Sequence, residues 1–312
     1  MILYGILIGL FGALCWGTAD ILATIVSRRV GILTTLFFSH IWGLPLLFIF
    51  LVLVWGPLSL TPQALLQSLP LGLIIGLLTA AGYFAFYRGL ELGPVAIVSP
   101  LISTDGAVTA LLALIILHES FGIWQGGALI ILFLGIIFAS LEGTSPLAFL
   151  KTLRSSSIAK GGTKWALIAM IMFSFSLFGI GLATRSVSWF LPIFWMRVFS
   201  TLTIVCVRLW QYIHVHIHKF SIKHAEDKRY SHWPMGIGLA ALVGMLDSAG
   251  LVIYSFNTHV TATGIAAGIS SCFVLLPLLF GIIVLRERLA KHQALGIGFV
   301  VVGLVVLGYN SV

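Results

Sequence analysis

Apolar residues in this chain come in runs far longer than a soluble core requires. Val30 to Tyr87 passes 58 residues without one Asp, Glu, Lys or Arg, Ser248 to Leu285 passes 38, and His292 to Val312 passes 21. A membrane-spanning helix needs about 20 apolar residues, so the longer runs hold several spans. Hydropathy and helix breakers together predict spans at 2–26, 32–55, 70–88, 95–117, 122–141, 164–185, 190–213, 234–256, 260–285 and 291–309. Gly56-Pro57 closes the second, Gly93-Pro94 divides the third from the fourth, and Trp233-Pro234 opens the eighth. Two polar segments remain. Glu142–Gly162 is rich in Ser, Gly and Lys and reads as a linker, and His214–His232 is rich in His and Lys.

The spans repeat. Ile115–Glu119 (IILHE) aligns with Ile283–Glu287 (IVLRE) at an offset of 168 residues, which also sets Ala81-Gly82 on Ala249-Gly250, Gln125 on Gln293 and Gly135 on Gly303. Earlier helices fit an offset of 157, which sets His40 against Arg197. Each half holds five spans, so the second copy enters the membrane from the opposite side, an inverted repeat of the kind many transporters use. The expected fold is an all-α polytopic membrane protein with ten transmembrane helices in two inverted five-helix repeats. The first repeat is 1–142, the cytoplasmic linker 143–163 and the second repeat 164–312.

Composition agrees with the pattern. Residues are 60% hydrophobic and 8% charged, with mean hydropathy +1.13, where a soluble domain carries about a quarter charged residues. The net charge of +8 does not indicate nucleic acid. Its residues sit between apolar runs, where anionic lipid accounts for them. Counted by the spans they join, the odd-numbered loops hold 15 Lys and Arg against Arg185 alone on the even side. The positive-inside rule then puts the odd loops in the cytoplasm and both termini outside, in a cell (inner) membrane. Cys15, Cys206 and Cys272 fall within spans and read as packing residues. The first apolar run, with no basic lead and no small-residue cleavage site, reads as a helix rather than a cleaved signal.

In these motifs the chain resembles the EamA-type transporters of the drug/metabolite transporter superfamily. Leu117-His-Glu119 and Leu285-Arg-Glu287 carry the likeness, each followed at the same spacing by Gln125 or Gln293, Ala128 or Gly296, and Gly135 or Gly303. Trp16-Gly17 adds to it. The proline often found 13 residues before this Glu is Gly106 in one half and Val274 in the other, with Pro277 nearby. The usual topology of such proteins, both termini inside, opposes the charge count. The resemblance implies transport of a small molecule by alternating access and names no substrate.

An ionisable group in hydrocarbon is costly and marks a cavity or a partner. At 1.5 Å per residue, Asp20 and His40 lie about 10 and 13 Å from the odd-loop face, and Arg197 and Asp247 about 11–14 Å from the other. Asp105 falls near the midplane. Depth permits two pairs, Asp20 with His40 and Asp247 with Arg197. As a cavity lining, Arg197 would hold a carboxylate or phosphate bidentately, and Asp20 or Asp105 would carry a coupling proton. As scaffold, the same residues would be interhelical ion pairs. Trp16, one turn before Asp20, fits a substrate ring or plain packing. Glu119 and Glu287 read as structural anchors where span ends reach water. His214, His216 and His218 with His224 and His232 raise a metal site, but the segment lacks thiolates and follows an interfacial Trp210 and Tyr212. It reads as a basic loop at the headgroups. No metal and no cofactor is expected. The partners are a small-molecule substrate, membrane lipids and a coupling proton.

No nucleotide-binding loop is present, and no G-x-S-x-G or H-E-x-x-H motif. The leading expectation is a secondary transporter of a small organic metabolite or drug. The alternatives are a membrane-embedded enzyme acting on a lipid, and a non-transporting sensor or assembly subunit. On the charge count, a reporter fused to the C-terminus and active only outside the cytoplasm should give signal. Signal from a reporter active only in the cytoplasm reverses the assignment.

Overall fold

The computed structural model describes residues 2–56, 61–92, 98, 101–140, 157–186, 188–218, 234–276, 279–280 and 291–309. Among them are ten α-helices: α1 Ile2–Val30, α2 Ile32–Trp55, α3 Pro62–Leu92, α4 Asp105–Ile116, α5 Ile123–Ser140, α6 Ser157–Ser186, α7 Leu191–His218, α8 Pro234–Val260, α9 Thr263–Ser270 and α10 Lys291–Tyr309. No strand occurs among the described residues. Helix is what lipid demands, because a helix satisfies its own backbone hydrogen bonds.

Among the described residues six helices are long and apolar enough to cross a membrane: Leu3–Ser27, Ile32–Trp55, Pro62–Gly89, Gly162–Ser186, Leu191–Gln211 and Met235–Val260. Four apolar stretches are shorter: Asp105–Ile116, Ile123–Ala139, Thr263–Val274 and Lys291–Leu307. Side chains such as Leu7, Phe11, Leu53, Ile123 and Trp124 stand exposed on the outside, a surface suited to lipid rather than water.

Several helices run past their expected ends. Residues 157–163, expected in the linker, are the first turns of α6, and α7 continues to His218. The backbone at 214–218 is therefore helical, where alternate positions do not share a face. The rest of the histidine-rich segment, most of the linker, and Glu287 with its flanking arginines lie outside the described residues. α3 begins at Pro62 and carries Pro70 inside it. Pro70 interrupts the backbone ladder, and the nearby Leu65 carbonyl accepts the Trp195 indole N–H (2.8 Å) and the Ser68 hydroxyl (2.8 Å).

The two halves interdigitate. α1 packs on α8 and α6 on α3; α3 packs on α7 and α8 on α2; α2 and α5 meet their own counterparts α7 and α10. Exchanging the halves maps this set of contacts onto itself. Single glycines show the same exchange. A Cβ on Gly76 would meet the Met196 carbonyl, and one on Gly244 the Ser39 carbonyl. One on Gly82 would meet Phe173, and one on Gly250 Trp16. One on Gly135 would meet the Gly296 carbonyl, and one on Gly303 the Ala128 carbonyl. The offsets of 157 and 168 relate the members of each pair. Backbones approach this closely only where a side chain is missing, the usual device for joining helices that gain no hydrophobic drive from lipid.

Gly135→Leu and Gly303→Leu should lower unfolding stability by similar amounts, about 1–3 kcal/mol each, from overpacking. Gly298→Leu, facing open space, should leave the denaturation midpoint in detergent unchanged. Equal loss at all three positions would contradict the packing described.

Candidate functional site

The charged residues of the spans gather where the halves meet. Arg197, on α7, is fully buried (0% exposed) and bridges three helices. Its Nη1 donates to Asp247 Oδ2 on α8 (2.6 Å), and its Nη2 to the carbonyls of Ser39 on α2 (3.2 Å) and Gly244 on α8 (3.3 Å). Gly43 and Gly244 make this possible: the guanidinium lies against Gly43, and the α8 backbone at Gly244 rests on α2. The second oxygen of Asp247, Oδ1, accepts the Tyr83 hydroxyl from α3 (2.8 Å). A pair so fully shared among four helices meets the condition under which charge tolerates burial.

His40, the position equivalent to Arg197 in the repeat, also lies close to it in space and is 1% exposed. Its Nδ1 contacts the Leu36 carbonyl (3.0 Å) and its ring meets Tyr83 edge-on at 5.2 Å. A carbonyl only accepts, so Nδ1 carries a proton there. The expected Asp20–His40 pair does not form. His40 is turned onto α3 and its own helix, and α1 packs chiefly on α8 rather than α2. Asp20 is partly exposed. Its carboxylate makes no hydrogen bond or ion pair among the described residues and lies within electrostatic reach of Asp247 and Asp105.

Asp105 stands at a break. The chain turns at Ser103 and Thr104, then resumes as α4, with Asp105 buried in its first turn. Oδ1 accepts the Gly106 N–H (2.7 Å), and the Asp105 carbonyl accepts hydroxyls from Thr109 (2.9 Å) and Ser174 of α6 (3.1 Å). A carboxylate at a helix N-terminus is favoured by the helix dipole. In the second half α9 gives way to a 3₁₀ turn at Ser271–Val274, and offset 168 carries Ser103 and Thr104 onto Ser271 and Cys272. Two equivalent helices are thus interrupted at equivalent points, and the interruptions touch: a Cβ on Gly106 would strike Ser271.

Trp16 packs between α1 and α8. Its Nε1 donates to the Asp247 carbonyl (3.2 Å), and its ring faces Tyr254 (5.8 Å) and Phe273 (6.4 Å). Three polar atoms in this region, His40 Nε2, Arg197 Nε and Ser248 Oγ, are buried without a hydrogen-bond partner. Arg197 and Ser248 share the space beside Gly43.

Sequence reasoning missed Tyr83, whose only signal was a phenol within an apolar run, and misjudged the setting of Glu119. Glu119 is 7% exposed, not at a wet helix end. Its Oε1 and Oε2 accept the backbone N–H groups of Thr263 (2.8 Å) and Gly264 (3.0 Å) that open α9, and Oε1 also contacts Arg185 at the end of α6. The inverted packing explains this, since it brings the start of α9 to the end of α4. The described residues contain no group of three or more potential metal ligands, and the three cysteines are free, with Cys15 and Cys272 buried and Cys206 exposed.

A polytopic helical membrane protein with two copies of one helical unit and a buried polar seam between them is the class these features define. The chain belongs to the EamA-like transporter family, whose profile matches residues 3–141 and 160–309. No curated protein matches it. Among 29 solved chains that do, a crystal structure 15% identical aligns with TM-score 0.68 over 100% of this chain and 99% of its own, which shows a shared fold.

Removing either charge should reveal how firmly the pair is held. Arg197→Gln and Asp247→Asn should each lose about 3–5 kcal/mol of stability, and Arg197→Met with Asp247→Leu should recover most of it in thermal denaturation. Single variants as stable as the parent would show the pair to be dispensable scaffold.

Proposed function

We propose that the chain is a secondary transporter of a small organic solute. Its ten helical stretches would cross the membrane as two inverted halves, and the solute would bind at the seam by alternating access. The observation that carries this reading is the set of buried polar atoms left unmatched there: His40 Nε2, Arg197 Nε and Ser248 Oγ. Buried polar groups are almost always paired, so unmatched ones beside an ion pair mark a seat for a polar ligand. The two broken helices meeting at Gly106 and Ser271 add support, because interrupted helices at a repeat interface are how transporters free backbone groups for binding.

Residues take distinct roles in this proposal. Arg197 and Asp247 hold α2, α7 and α8 together, and capture of an anion by Arg197 requires that pair to open. Among the described residues Asp20 and Asp105 have no cation partner, which suits them to carry a coupling proton. Trp16, braced by Tyr254 and Phe273, offers an apolar wall. The family membership supplies the transporter class, and the drive is an ion gradient or exchange.

A thermal-shift screen of the purified protein against a metabolite library should find a stabilising ligand. In vesicles that ligand should then accumulate under an imposed pH gradient. Asp20→Asn should abolish accumulation while leaving solute-for-solute exchange. Accumulation by Asp20→Asn and Asp105→Asn at the parent rate would remove both residues from coupling.

A further inference from the structure

Glu119 is tied more tightly than a helix-end anchor needs. It lies in the turn between α4 and α5, yet the hydrogen bonds of its carboxylate run to the other half: two N–H groups at the start of α9 and the guanidinium of Arg185 at the end of α6. The turn is bent to deliver it. His118, just before it, has φ +52°, a left-handed conformation that costs a non-glycine residue about 1–2 kcal/mol, and the Glu119 N–H bonds back to the Ala113 carbonyl (3.2 Å). Strain of this kind persists where surroundings enforce it, and it clusters at switch regions. Phe121 closes over Gly264 beside the tie, and Thr263 fills the space against Gly181.

The object held is a short segment with a weak point behind it. α9 is only eight residues long, fully buried, and ends in the 3₁₀ turn Ser271–Val274 that touches Gly106 and so the Asp105 break. One end of α9 is clipped by a carboxylate and the other ends in an irregular joint. Arg185, by contrast, keeps 42% of its side chain exposed, so the protein leaves the clip uncovered from one side.

We propose that Glu119, Arg185 and the N-terminus of α9 form the latch of a gate. In this state the latch seals the face that carries the α4–α5, α6–α7 and α8–α9 connections. Releasing it lets α9 swing on the Ser271–Val274 joint and opens the seam to that face. This rests on the transporter reading, and it adds which contacts must break for one of the two openings.

The test reads accessibility, not transport. A reporter thiol at Ser271→Cys, with Cys15→Ala, Cys206→Ser and Cys272→Ala, is challenged with a charged, membrane-impermeant maleimide in sealed vesicles of either orientation. Arg185→Gln and Glu119→Gln should each raise the labelling rate about tenfold from the Glu119 face only, the scale of one lost charge-assisted contact. Arg185→Lys should stay near the parent. Arg185→Gln changes a half-exposed side chain, so its denaturation midpoint should hold. Unchanged labelling in both variants overturns the latch, as does an equal rise from both faces. Solute flux in the parent with unchanged labelling overturns the latch alone; one-sided labelling without flux for any solute overturns the transporter reading and leaves the latch standing.

Discussion

The hydrocarbon interior offers no water to a charge, so Arg197 must find every partner within the protein. Much of the architecture at the seam follows from that demand. The guanidinium draws on Asp247, Ser39 and Gly244, which fixes α7 against α2 and α8. It fits only because position 43 is glycine. Asp247 in turn recruits Tyr83 and, through its carbonyl, Trp16, so α3 and α1 join the same cluster. One buried cation thereby organises five helices.

The two-fold exchange of the halves supplies the frame, and the charges depart from it. Glycine contacts recur in pairs across the halves, but Arg197 is matched by His40, Asp247 by Thr79 and Asp20 by Leu177. The frame gives two equivalent ways of packing the helices, which is what the proposed alternation between two openings rests on. The unequal residues give the seam its chemistry, since a wholly symmetric site would carry either no charge or twice the burial penalty.

Much of this was legible in the sequence. The long apolar runs gave the helices, with α2 beginning and ending where expected, and the internal offsets made His40 equivalent to Arg197 and Gly135 to Gly303, without telling that His40 would lie close to Arg197. Depth along the helices was enough to pair Asp247 with Arg197. It was not enough for Asp20 and His40, because depth says nothing about which helix is the neighbour, and interdigitation sends α1 to α8. Glu119 was misplaced for the same reason: its partners come from α6 and α9, some 66 and 144 residues onward. The breaks before α4 and after α9 were not expected, although Pro100 and Pro277 each stand three residues from one of them. They show in the resumed hydrogen bonding at Asp105 and in the 3₁₀ turn at Ser271–Val274.

The central claim is that the halves are threaded through the membrane in opposite senses. α5 opens at Ile123 and α10 at Lys291, 168 residues apart and equivalent in the repeat. Single cysteines at these two positions, labelled in intact cells with an impermeant reagent before and after permeabilisation, read the claim directly. The account predicts that one labels before permeabilisation and the other only after it. Both labelling from the same face would show the copies to be parallel, and the exchange-related seam would have no basis.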